Sequence, residues 1–368
     1  MLFTMGPGAR WAALLAALLA PPVGATDAVR EQLETGLSCL AEGRYAEAQI
    51  AFESVLHLED EPVDLPTRLE AYEKAARDYL EQGGRSTRFA HAEAGLGGYQ
   101  VNSTPATQGG ERDSSFANLR VGAGFDRRLD DRYALDANLD YRFREHDEPG
   151  VRDDRDLRWR IGASRMTGGD GWAGGFRGRV SYRGNGDHRN DYSVFTNFDR
   201  RIDSANRLRF GAELRRRSYP PGRLRERSRT TADASVRWTH ALHDRVRLAA
   251  TPHIGRNFQT NRPDGESTFY GITVELDYTI SDRLAWHSFG RWEHDVFNAD
   301  AIRVHPDADD QAILRRNDNL HEFGVRLVWR FAEGWTFRPE LLYTRDESNV
   351  LDFNYSATEY WINVRKSF

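Results

Sequence analysis

From about residue 85 onward the apolar residues recur at every second position, not at every third or fourth, and the pattern returns many times. The clearest run is Tyr133, Leu135, Ala137, Leu139, Tyr141 and Phe143, interleaved with Asp136, Asn138, Asp140 and Arg142. Successive side chains of a strand point to opposite faces, so this alternation makes one face apolar and the other charged. The same phase appears at Ala117, Leu119, Val121 and Phe125, at Leu157, Trp159 and Ile161, and at Tyr270, Ile272, Val274, Leu276 and Tyr278. It closes the chain at Tyr360, Ile362, Val364 and Phe368. With a less regular first strand over Phe89 to Val101, the segments number about 14, an even count as a closed antiparallel barrel with both ends on one side requires.

A soluble sandwich also alternates, but it buries one face of fewer and shorter strands. Tyr133, Tyr141, Trp159, Trp238, Tyr270, Tyr278, Trp286, Trp292, Trp329, Trp335 and Tyr343 fall near segment ends on the apolar phase, where rings with a polar edge suit the headgroup boundary of a bilayer. The mean hydropathy of −0.70 does not oppose a membrane barrel, since only one side of each strand meets lipid. The links add direction. Those after odd-numbered strands are long, including His146 to Asp156, Ser218 to Arg229, Arg256 to Glu266 and His294 to Asp318. Those after even-numbered strands are short, including Asp130-Asp131, His243-Asp244 and Ser281-Asp282. Long outside loops and short periplasmic turns are the expected asymmetry.

Residues 1–25 form a separate unit. Arg10 precedes an apolar stretch from Trp11 to Ala20, followed by small residues up to Ala25. The stretch is too short to span a bilayer as a helix, so the expectation is an export signal cut near Ala25. Cys39 is the sole cysteine, which excludes an internal disulfide. It reads as a small packed core residue on a helix. The formal net charge of −5 gives no support for nucleic-acid binding.

Residues 26–84 read as helical. Leu33, Leu37, Leu40, Ala48, Phe52, Val55 and Leu56 recur on one side of each expected helix, and a second stretch runs from Pro66 to Gln82. The spacing of Gly36, Gly43, Tyr45, Ala48 and Phe52 resembles a tetratricopeptide repeat, in which small residues let two antiparallel helices approach and an aromatic fills the gap. One repeat and a partial second fall short of a self-sufficient array, so this segment is expected to dock on the barrel, on a second copy or on a partner.

The charged phase of the barrel strands carries Arg120, Arg142, Arg158, Arg160, Arg177, Arg179, Arg207, Arg209, Arg237, Arg245 and Arg247, with Asp136, Asp140, Glu213, Asp233, Glu275 and Asp277 among the acids. In a polar lumen with low-dielectric walls the field of such charges reaches far. The expectation is either an anion-attracting passage or a cross-barrel network that ties the arginines to acids. Enzyme signals are poor. The histidines are scattered, and Ser288 beside His287 faces the opposite way on a strand. The acidic run His305, Asp307, Asp309 and Asp310 lacks calcium-loop spacing and reads as a hydrated loop. No catalytic residue, metal or cofactor is expected.

Helices of this type followed by a barrel of roughly this size resemble the surface lipoprotein assembly modifier family. The resemblance rests on Gly36, Gly43, Tyr45, Ala48 and Phe52 and on the barrel ending at Phe368. It implies an outer-membrane factor that assists export of a lipoprotein or other protein cargo, with the helical segment in the periplasm. The run Tyr360, Ile362, Val364, Phe368 is similar to the C-terminal signal read by the bacterial barrel-assembly machinery. The same architecture also resembles exporters of exopolysaccharide. A solute channel or porin and a structural or adhesive barrel in outer-membrane lipid complete the alternatives.

Overall fold

A computed structural model describes residues 27–42, 44–53, 86–103, 110–129, 132–147, 154–167, 170–183, 187–220, 227–260, 262, 264–303, 312–350 and 353–368. The expected signal over residues 1–25, the second helical stretch from Pro66 to Gln82 and the His305 to Asp310 run lie outside these.

The alternating segments become fourteen strands. They are β1 (Ser86–Ser103), β2 (Gly110–Arg128), β3 (Tyr133–His146), β4 (Asp154–Thr167), β5 (Asp170–Arg183), β6 (Asp187–Arg201) and β7 (Asn206–Ser218). The circuit continues with β8 (Arg229–His243), β9 (Val246–Phe258), β10 (Ser267–Ser281), β11 (Leu284–Arg303), β12 (Ala312–Ala332), β13 (Trp335–Ser348) and β14 (Tyr355–Ser367). Each pairs antiparallel with its sequence neighbours, and β14 returns to β1 to close the barrel.

The apolar phase faces outward. Leu96 is 70% exposed, Ile161 58%, Phe176 57% and Tyr360 57%, values that a soluble protein avoids across so many large side chains and that a lipid-facing wall requires. Tyr133, Trp172, Trp238, Tyr278, Trp286, Trp329 and Trp335 lie toward the short-turn end of this surface, and Tyr182, Tyr192, Tyr270 and Tyr343 toward the other. These are the two aromatic belts of a transmembrane barrel. The protein is thus a barrel of the bacterial outer membrane, with every described barrel strand paired on both sides as hydrocarbon demands.

Connections at one end are 129–132, 168–169, 202–205, 244–245, 282–283 and 333–334, none longer than four residues, whereas those at the other include 219–228, 259–266 and 304–311. Gly334, with φ +65°, makes the tight β12–β13 turn. One connection differs from the sequence expectation. The loop expected over His294 to Asp318 is mostly strand, because β11 and β12 run on as a paired ribbon to Arg303 and Ala312 beyond an irregularity between Val296 and Asp300.

The described helical part is one hairpin, α1 (Asp27–Ala41) and α2 (Tyr45–Glu53), and not an array of repeats. Gly36 faces Phe52 so closely that a methyl group there would overlap the ring. Leu33, Ala48, Ile50 and Phe52 are fully buried, Cys39 nearly so, and Gly43 falls outside the described residues. The hairpin sits on the short-turn end of the barrel. The Ala46 amide donates to the Asp244 carbonyl at 3.3 Å, and the Tyr45 hydroxyl donates to Asp282 Oδ1 at 2.5 Å. Burial, followed by the Asp282 hydrogen bond, raises the Tyr45 phenol above its ordinary pKa. Tyr45 therefore stays protonated and keeps donating.

Candidate functional site: an arginine wall in the lumen

Because the side-chain period is two, the residues between the lipid-facing positions point into the lumen, and strand register decides which of them meet. At six places between β2 and β8 the register sets arginine against arginine, alongside arginine–acid pairs such as Arg142 with Asp156 and Arg217 with Asp191. Arg120 lies directly opposite Arg142, Arg158 opposite Arg179, and Arg160 opposite Arg177. Arg201 faces Arg207, Arg209 faces Arg237, and Arg217 faces Arg229. Like charges directly opposed on neighbouring strands destabilise a sheet, so these pairs persist only because acids on the flanking strands hold them.

Asp156, almost fully buried, takes Arg142 at 2.6 Å, Arg179 at 2.7 Å and the Ser181 hydroxyl at 2.5 Å. Arg158 stands 3.8 Å from the same carboxylate. Asp136 holds Arg160 at 3.1 Å, Asp140 holds Arg120 at 2.7 Å, and Asp199 takes Arg207 at 2.7 Å and Arg209 at 2.8 Å. Phe195 sets the geometry of the central pair. Its ring, 3% exposed, has its centre 4.7 Å from the Arg160 guanidinium carbon and 4.1 Å from that of Arg177, so two cations share one aromatic ring.

Two consecutive lumen rows on β4 to β8 follow from this register. One contains Arg158, Arg179, Asp191, Arg217 and Arg229; the next contains Arg160, Arg177, Ser193 and Arg215. They border a cleft of about 340 Å³ lined by six arginines (Arg158, Arg160, Arg177, Arg179, Arg215 and Arg217) against three acids (Asp140, Asp191 and Glu213). The acids lie where they serve more than one cation. Asp191 binds Arg217 at 2.9 Å and Arg189 at 3.1 Å, while Glu213 stands 3.7 Å from Arg177 and 3.6 Å from Arg215.

The wall from β9 to β14 and on to β1 is built differently, with arginine opposite acid. Arg247 faces Asp277 and forms a very close ion pair with it, and His287 Nδ1 lies 2.6 Å from the same carboxylate. Arg326 faces Glu340 at 2.8 Å, Arg291 faces Glu322 at 3.2 Å, and Arg338 reaches Glu93 at 2.8 Å. Arg237 crosses from β8 to Glu275 in a two-pronged pair with both bonds at 2.6 Å. These cations are neutralised in place.

Of the eleven arginines named from the sequence, ten occupy the inward phase and are distributed between these walls. Arg245 does not join them. It occupies the β8–β9 turn, where its Nη1 donates to the Ile280 carbonyl at 3.1 Å. Sequence reading did not single out Phe195, although it breaks the phase of β6, whose other large apolar residues, Tyr192, Val194 and Phe198, are all on even positions and face lipid. At the seam, Tyr360, Ile362, Val364 and Phe368 face outward, while Trp361 pairs with Gly97 on the inner phase. Among the described residues no three His, Cys, Asp or Glu side chains are arranged to hold a metal ion.

No family model and no curated protein matches the chain. Solved structures to which it is similar include the TodX monoaromatic hydrocarbon channel deltaS2 mutant, at 9% identity and TM-score 0.43, covering 77% of this chain and 90% of that one. Another is a Pseudomonas aeruginosa FadL homologue, at 10% identity and TM-score 0.43, covering 80% and 92%. A third is the outer membrane channel DcaP of Acinetobacter baumannii, at 9% identity and TM-score 0.42, covering 77% and 97%. The resemblance to the surface lipoprotein assembly modifier family is accordingly corrected, together with the lipoprotein-export function it implied. The similar solved structures are channels, and the repeat spacing at Gly36 to Phe52 corresponds to one helical hairpin.

Proposed function

We propose that the protein is an outer-membrane channel whose lumen passes small polar solutes and favours anions. The observation that carries this reading is the pair of arginine rows on β4 to β8, where six arginines and three acids line one cleft. A barrel of eight strands has an interior filled by side chains and one of 16 to 18 leaves an aqueous channel, so 14 strands place the lumen between these cases. Within such a low-dielectric shell a surplus of fixed positive charge raises the local concentration of anions and repels cations. Residues 26–84 belong on the periplasmic side in this reading, since the described hairpin rests on short turns. Residues 1–25 act as the export signal. The outward side chains Tyr360, Ile362, Val364 and Phe368 are what the barrel-assembly machinery would meet.

The test is reconstitution in a planar lipid bilayer under a potassium chloride gradient. The expected reversal potential has the sign of chloride preference. A membrane that stays silent, or a reversal potential of the opposite sign, overturns the reading.

A further inference from the structure

We infer that the two arginine rows of β4 to β8 form a binding site for a doubly charged oxyanion of the phosphate or sulfate type, beyond a general attraction for anions. The inference rests on the channel reading for its biological sense, while its chemistry stands on the wall itself.

The register places Arg158 beside Arg179 and, one inward position along each strand, Arg160 beside Arg177. Directly paired residues lie about 5 Å apart across the strands, and inward neighbours along a strand about 7 Å apart. Arg158, Arg160, Arg177 and Arg179 therefore line one short stretch of the cleft, with Arg179 also bound to Asp156 and Arg160 to Asp136, and Arg215 and Arg217 on β7 line its far side. A guanidinium presents a planar fork of donors that matches two oxygens of one anion, and a tetrahedral oxyanion has oxygens enough for several such forks. Chloride cannot bridge forks in this way.

The acids of the cleft are fewer than its arginines and are already engaged. Asp140 holds Arg120, and Asp191 is divided between Arg217 and Arg189. Glu213, the carboxylate nearest the middle, approaches Arg177 and Arg215 at 3.7 and 3.6 Å, longer than the 2.6 to 2.8 Å pairs of Arg237 with Glu275 and Arg326 with Glu340. The Arg215 Nε–H is buried without a hydrogen-bond acceptor. Phe195 meanwhile holds Arg160 and Arg177 together with no negative charge of its own. A wall that spends an aromatic ring and a register of like charges to gather cations is arranged for an anion that arrives from outside.

The experiment is a titration of inorganic phosphate against the chloride current of the reconstituted protein, with sulfate and acetate as parallel arms. In addition, the heat of phosphate binding to the detergent-solubilised protein is measured. Phosphate and sulfate are expected to reduce the current and acetate to leave it unchanged. The double variant Arg160→Gln/Arg177→Gln is expected to raise the half-blocking phosphate concentration at least about tenfold, the loss of two charge-assisted contacts. The single variant Arg215→Gln should shift it in the same direction by less, and serves where the double variant does not show the heat-modifiable gel mobility of a folded barrel. Arg326→Gln/Glu340→Gln, which removes a neutral pair from the opposite wall, should leave the block as it was. A chloride current indifferent to phosphate, or equal block by acetate, overturns the site and leaves the channel standing. Phosphate binding heat that depends on Arg160 and Arg177 in a protein that never conducts overturns the channel and leaves the site.

Discussion

The two halves of the lumen wall use the same residue types to opposite effect. Between β9 and β1 arginines meet acids across the strand gap, as Arg247 meets Asp277, Arg291 meets Glu322 and Arg326 meets Glu340. Between β2 and β8 arginine also meets arginine, as Arg158 meets Arg179 and Arg160 meets Arg177, and acids such as Asp156 and Asp191 are shared among several cations. Composition differs along with register, since strands β2 to β8 hold 23 arginines against 14 acids and the other seven strands 12 arginines and one lysine against 12 acids. The neutralised wall behaves as a brace, and the arginine-paired wall carries the surplus of positive charge.

The largest effect should come from breaking the brace. Asp277→Ala strands Arg247, 4% exposed, beside His287, and a buried ion pair deprived of one member costs about 3–5 kcal/mol. The temperature at which the folded gel band converts to the unfolded one should fall clearly. No change would mean that the brace carries no load. Next in size is a change of face on the arginine-rich wall. Ile161→Arg places a cation in lipid and should cost about 2–4 kcal/mol near the bilayer midplane, read by denaturant titration in vesicles. A neutral outcome there would deny that this phase meets hydrocarbon.

Removing Arg160 and Arg177 together should cost less than Asp277→Ala, because relief of a directly opposed like-charge pair, worth up to about 1 kcal/mol, offsets part of the loss of the Arg160–Asp136 pair. A loss as large as that of Asp277→Ala would erase the distinction between the walls. The smallest effect concerns the β6–β7 turn, which belongs to the same strands but lies outside the lumen. Hydrogen bonds from the Asn206 side chain, the Ala205 amide and the Asn206 amide hold the Asp203 carboxyl below its ordinary value. Its contribution is therefore present above the unfolded carboxylate pKa and is lost as the pH falls through the lower folded value. Amide exchange at residues 205 and 206 should quicken over that acid window and stay flat in Asp203→Asn.

Much of the barrel was legible because its two faces have different solvents. The run from Tyr133 to Phe143 alternates without a fault, and link length separates the two ends even where strand limits are blurred. The His294 to Asp318 stretch was misjudged because beyond the membrane a paired ribbon has no lipid to enforce apolar residues, so strand and loop look alike. The inward phase of Arg158, Arg160, Arg177 and Arg179 can be read from each strand alone. Their pairing cannot, since period two says which face a side chain takes but nothing about which partner on the next strand it meets. Phe195 carried a signal in its odd position among even apolar neighbours. The helical spacing misled for a different reason. A glycine packed under an aromatic, as Gly36 is under Phe52, is what any close pair of helices needs, and it is no mark of one family.

Thirteen of the barrel's pairings join strands adjacent in sequence, and each of those is a hairpin that can form as soon as its turn does. The remaining one, in which Ala94 meets Val364 and Glu93 meets Arg365, joins opposite ends of the circuit. Its formation waits on the whole ribbon curling round, and until then β1 and β14 each carry an unzipped border of amides and carbonyls that hydrocarbon penalises. That joint is the natural latch of the circuit, the one pairing that no single turn can bring together.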